Sequence, residues 1–168
     1  DFTHACPKLE ESQKLDPAAG TALNLKSGVD VELAQKGRIG TRVWRADDGT
    51  SGPDLIEKST QQSRGQELAV FLSVTQDVEP QALAHIQKHR LKIGTALSFV
   101  LDHGPGQQTI AGGAHAAAIA EQVAKAVRRA KANDPDTMVH IYASAPNSIL
   151  FFLGQQHQSI APCIVYEF

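Results

Sequence analysis

The sequence predicts an α/β fold of doubly wound, mostly parallel sheets. Three observations point there: short apolar runs alternate with segments of helical spacing, a glycine-rich stretch precedes a long alanine-rich segment, and the chain closes on a strand, loop, helix and strand from Met138 to Phe168. The connections are short, which favours parallel strands joined by crossover helices.

The first helix is expected over about Pro17 to Leu25, and the Lys26-Ser27-Gly28 turn ends it. Val29 to Ala34 then alternates apolar and charged residues, the period of a strand covered on one face. Gly37 to Trp44 reads as another strand. The polar stretch Ala46 to Gly65, with Gly49, Gly52 and Pro53, reads as a loop or connection holding at most a short helix.

A cleaner pattern begins at Glu67. Leu68 to Val74 is a strand, Pro80 to His89 a helix with Leu83 and Ile86 inward, and Thr95 to Leu101 the next strand. Asp102 to Gly113 is a glycine-rich loop. Ala114 to Ala132 follows as an amphipathic helix with Ile119, Val123 and Val127 on one face, and basic residues near its end that suit the helix dipole. Asn133, Asp134 and Pro135 stop it before the strand carrying Val139, Ile141 and Tyr142. Ser144, Ala145, Pro146 and Asn147 form a tight small-residue turn with Asn147 as helix cap. An apolar helix from Ser148 to about His157 and a closing strand complete the chain.

In such sheets ligands sit beyond the carboxyl ends of the strands. Thr75 and Gln76, Asp102 to Gly106, and Ser144 to Ser148 are therefore expected along one edge, with Gln35 and Lys36 in the corresponding place of the first half.

Composition narrows the function. The 168 residues are 42% hydrophobic, enough for one good core or two small lobes, and no apolar run approaches the roughly 20 residues that span a bilayer. A net charge of -2 argues against duplex DNA binding by this chain, which needs a broad basic surface. Cys6 and Cys163 lie at opposite ends without a Cys-x-x-Cys pair or a signal peptide, which suggests a reduced, cytoplasmic protein, although one disulfide between them stays open. Asp1 does not look like a natural start, so a fragment of a longer protein is expected.

Residue chemistry favours binding over catalysis. His85 and His89 are four apart on a helix but lack the His-Glu-x-x-His pattern and a third ligand, so no metal is expected. Gly104-Pro105-Gly106 with Gly112-Gly113 departs from the dinucleotide fingerprint, because proline fills the spacer and the third glycine is misplaced. Ser144, Ser148, Asp102 and His103 are candidates to be neighbours in space, yet no Gly-x-Ser-x-Gly elbow is present. Lys26, Lys36, Arg38, Arg42 and Arg45 surround the sole tryptophan, Trp44. Cations neutralise phosphates and an indole stacks on a base. A solvated basic strand with Trp44 anchored in the core fits the same residues equally well.

The run Leu25-Lys26-Ser27-Gly28-Val29-Asp30-Val31, then Gln35, Gly40 through Trp44, the Leu72-Ser73-Val74-Thr75 strand end, Ser144-Ala145-Pro146, Leu153-Gly154 and Val165-Tyr166-Glu167-Phe168 resembles the SAVED domain from about Pro17 to Phe168. The resemblance implies two fused CARF-like Rossmann-type halves, here 1–65 with its connection as a short first half and 66–168 as the second. It also implies a bacterial sensor in CBASS anti-phage defence. Its activating ligand is a cyclic di- or trinucleotide made by a CD-NTase. Binding drives self-association and activates a fused effector absent from this chain, with an HNH endonuclease the first expectation.

By the same resemblance Trp44 stacks on a base, Lys26, Lys36 and Arg45 contact phosphates beside Gln35, and Thr75 and Gln76 line the second wall. Ser144, Ala145, Pro146, Asn147 and Ser148 form the floor. No catalytic residue, metal or further cofactor is implied. The competing reading is a nucleotide-processing α/β hydrolase that uses Ser144 or His103.

Overall fold

The computed structural model describes residues 32–37, 40–61, 65–106 and 109–167. The Pro17 to Leu25 helix, Lys26, Arg38, Cys6 and the start of the first strand lie outside the described residues. Strands β1 (Leu33–Gly37) and β2 (Gly40–Trp44) form a two-stranded antiparallel sheet. The order then runs β3 (Leu55–Gln61), β4 (Glu67–Ser73), α1 (Glu79–His89), β5 (Ile93–Leu101), α2 (Gly113–Ala130), β6 (Val139–Ser144), α3 (Asn147–Gln155), α4 (His157–Ile160) and β7 (Cys163–Glu167).

The five later strands make one sheet in the order β3-β5-β4-β6-β7, parallel except for β3, which runs antiparallel to β5. This is a Rossmann-like arrangement: from β4 the chain crosses to β5, then returns over the sheet to β6, so the strand order reverses between β4 and β6. Mostly parallel pairing agrees with the sequence expectation. β3 corrects the reading of Ala46 to Gly65 as loop. Leu55 is buried, but Glu57 to Gln61 is polar and mostly exposed, so this end strand has no apolar alternation to reveal it. It is tied to α2 instead, by Gln122 Nε2 donating to the Leu55 carbonyl (2.8 Å) and an Arg129–Glu57 ion pair at 2.5 Å.

Alternation along each strand divides the core. Leu68, Val70, Leu72, Leu97, Phe99, Val139 and Ile141 face one side and pack on α2, α3 and α4. Alanines allow α2 to approach closely: Ala116, Ala120 and Ala124 lie beside Ile119, Val123 and Val127 in that core. Ala69, Phe71, Ala96 and Tyr142 face the other side, which α1 covers. There α1 turns Ala82 inward and half-buries Ile86, whereas Leu83, expected inward, is 38% exposed. Val78 and Ala82 set the phase of the helix, which leaves Leu83 on its flank.

Candidate functional site

The switch point lies where β4 and β6 end, and the chain clasps itself there. Thr75 Oγ1 and Ser144 Oγ are 2.6 Å apart and share one hydrogen bond, and the Ser144 carbonyl accepts both Val74 N–H (3.0 Å) and Thr75 N–H (2.8 Å). The sequence expectation that these two segments meet at one edge is met for Thr75 and Ser144. Gln76 is exposed beside them. The glycine-rich loop joins the same edge, because Gly106 N–H donates to the Val74 carbonyl at 2.8 Å.

From this clasp α3 leaves with Pro146 in the cap position and Asn147 as its first residue, which corrects the assignment of Asn147 as cap. The fixed φ of Pro146, -56°, suits the turn, and its carbonyl accepts Ile149 N–H at 2.9 Å. Asn147 is exposed, Ser148 is buried, and Ala145 and Pro146 are half-buried. The hydrolase reading finds no support in the bonding. Ser144 Oγ is engaged by Thr75, while the exposed His103 pairs through Nδ1 with Asp102 at 3.3 Å.

The basic hairpin sits on the α2 and α3 side. Leu33 and Trp44 are buried in that core, and β1 lies against α3. Gln35 and Lys36 are on β1, opposite Arg42 and Thr41. At 7% exposure Trp44 presents no open face, which fits the anchoring reading of its indole. Arg45 is held by two carboxylates, Glu32 at 3.5 Å and Asp47 at 3.4 Å.

Sequence reasoning missed Asp48. Its Oδ2 accepts Gly113 N–H (2.6 Å) and its Oδ1 accepts Ala114 N–H (3.0 Å), so the start of α2 is capped by a carboxylate 65 residues earlier in the chain. Thr50 also donates to Asp48, through its N–H (3.0 Å) and hydroxyl (2.6 Å). The loop is fixed further by His115, whose Nδ1 accepts Ala111 N–H at 3.2 Å while Nε2 donates to the Pro53 carbonyl at 3.0 Å. The glycine-rich helix start therefore already holds an anion of the chain's own.

Partial burial pushes the Asp48 carboxyl up, but the Thr50, Ala114 and Gly113 hydrogen bonds outweigh it and bring the pKa from 3.8 to about 2. The folded value lies below the unfolded one, so this stabilisation is complete above pH 3.8 and is lost as pH falls through about 2. Asp48→Ala is expected to cost about 1–2 kcal/mol, the usual worth of a cap, measured by urea unfolding at pH 7. An unchanged midpoint would remove Asp48 from this role.

On the α1 face, Tyr142 and Tyr166 stack with ring centres 4.6 Å apart. Each phenol meets a histidine: Tyr142 Oη with His85 Nδ1 and Tyr166 Oη with His140 Nδ1, both at 3.1 Å. His140 Nε2 is buried 3.4 Å from Glu67 Oε2, without the alignment of a hydrogen bond. Burial lowers the pKa of His140 against the opposing pull of Glu67, and it lowers that of His85 with help from His89 and Lys88.

A Rossmann-like sheet with a clasped switch point defines an α/β unit of the class that takes ligands at the carboxyl edge of its sheet. The family model of the SMODS-associated and fused to various effectors sensor domain, SAVED, matches residues 17–168, and the chain belongs to that family. It is 37% identical over 150 residues to CD-NTase-associated protein 4 of Enterobacter hormaechei subsp. hoffmannii (strain UCI 50), covering 89% of this chain and 30% of that protein. Membership in that family makes the chain a sensor domain. Among the described residues no helix is long and apolar enough to cross a membrane.

Proposed function

We propose that this chain is the sensor of a cytoplasmic bacterial defence effector and binds a cyclic di- or trinucleotide at the carboxyl edge of its main sheet. The carrying observation is the clasp of Thr75 and Ser144 at the switch point, the place where open α/β sheets take ligands, in a chain that matches a sensor family. Gln76, Asn147 and the Ser144 to Ser148 turn border the ligand, and Lys26, Lys36 and Arg45 belong to the basic segment that balances its phosphates. Binding favours a self-associated state by its preference for that state and so activates a fused effector, a DNA endonuclease in our reading. The domain itself turns nothing over.

Calorimetry against a panel of cyclic di- and trinucleotides tests this. A member of the panel is expected to bind the folded chain, to increase its size in light scattering and to be recovered intact by chromatography. Thr75→Val with Ser144→Ala is expected to weaken that binding at least tenfold while leaving most of the stability. If no member binds, or if the ligand is consumed, the sensor reading fails.

A further inference from the structure

We propose that the cavity between the start of α1 and strand β3 is a nucleobase subsite that recognises an exocyclic amine. The inference rests on the cyclic-oligonucleotide reading above and assigns one part of that ligand to one place.

The cavity measures about 220 Å³. That is room for a single ring system rather than a whole cyclic oligonucleotide. It opens at the carboxyl ends of β4 and β5, on the face that α1 covers, and the glycine-rich loop contributes Pro105 to its wall. Val100 and Pro105 supply an apolar surface for the flat of a ring. The polar groups stand around it. Ser98 Oγ donates to Glu79 Oε2 at 3.1 Å, which ties the carboxylate to β5. Asp77 Oδ1 accepts Glu79 N–H at 3.0 Å and the Ser73 hydroxyl at 3.4 Å, and Ser73 Oγ in turn accepts Val78 N–H. Among the described residues each carboxylate thus has one oxygen held by a hydrogen bond and offers the other to a ligand.

Lys58 completes the set from β3, where it stands opposite Ser98. Opposite charges sharing a small cavity would normally pair. Among the described residues, however, the ion pairs include neither Lys58, Asp77 nor Glu79. All three line the same cavity, so a group that bridges them would gain contacts with both charges.

Charge decides which group that is. Two carboxylates against one ammonium leave the cavity negative, which repels a phosphate and sends the phosphates of a nucleotide elsewhere. A neutral ring with a donor beside an acceptor fits instead. An exocyclic amine has two N–H bonds, one for each carboxylate, and the adjacent ring nitrogen or keto oxygen accepts from Lys58. Adenine, guanine and cytosine carry such an edge. Uracil and hypoxanthine have no amine and offer only one ring N–H.

The test is calorimetry of the 168-residue chain with 3′,5′-linked cyclic di- and trinucleotides of adenine, guanine, cytosine, uracil and hypoxanthine. An amino-bearing ligand is expected to bind at least tenfold more tightly than its uracil or hypoxanthine counterpart. Asp77→Asn combined with Glu79→Ala is expected to bring that preference within twofold, while the asparagine keeps its capping bond to α1. Glu79→Ala alone serves as a second variant, expected to lose part of the preference with an unchanged melting temperature. Equal binding of amino-bearing and amine-free ligands by the wild type, or a preference that survives in both variants, overturns the subsite and leaves the sensor reading standing. Failure of the folded wild type to bind any of these ligands overturns both.

Discussion

Gly113→Ala is expected to push the β1–β2 hairpin away from the start of α2 and to lower stability by about 3 kcal/mol, the upper end of overpacking penalties. A Cβ at this position would lie 2.2 Å from the Arg45 carbonyl oxygen and 2.5 Å from the Arg45 nitrogen. Both are backbone atoms, so no side chain can rotate aside, and any retreat of the hairpin pulls Asp48 from the Gly113 N–H it caps. Trp44 is the only tryptophan, and it is buried at the end of that hairpin. Its fluorescence therefore reports the displacement directly, as a red shift alongside a lower urea midpoint. An alanine variant with wild-type emission and midpoint would show that the close approach is unnecessary.

Tyr142→Ala is expected to cost about 3–5 kcal/mol, as for other large buried rings. The ring is fully buried, stacks on Tyr166, and joins α1 to the sheet through His85. Tyr142→Phe isolates the hydroxyl and should cost about 1 kcal/mol. The same cluster gives the protein a mild acid sensitivity. His85 and His140 have folded pKa values below the unfolded 6.5, so their contribution is complete above pH 6.5 and is lost as pH falls below it. Urea unfolding at pH 7.5 and 5.5 should show lower stability at the lower pH, with a smaller difference in His140→Gln. A pH difference untouched by that substitution would place the titration elsewhere.

The parallel strands and their helices were legible because each carries its own signal. Leu68 to Ser73 and Val139 to Ser144 are buried along their whole lengths, so apart from His140 and the closing serines they read as apolar runs, and α2 shows its inward stripe at helical spacing. The meeting of Thr75 with Ser144 followed from strand direction alone. β3 was illegible because an end strand with polar Lys58, Ser59, Thr60 and Gln61 owes its place to the register with β5 rather than to its own pattern. Asp48 was illegible for another reason. A cap normally precedes its helix in sequence, and here it reaches α2 from a different part of the chain. Gly112 and Gly113 did stand out, but what they accommodate is Asp48, Thr50 and the Arg45 backbone. The cavity residues Asp77 and Glu79 carry no sequence signal of their own, and only the fold brings Lys58 and Ser98 to the same cavity.

The solvated outer border of β3 has a consequence for higher-order assembly. A strand at the end of a sheet is a template for a second chain unless polar side chains and lysine keep it wet, and Ile56 and Lys58 to Gln61 are all exposed there. Joining two sheets across β3 would bring the Lys58 ammonium groups of both copies into one seam. Copies of this domain are thereby discouraged from fusing edge to edge into a continuous ribbon.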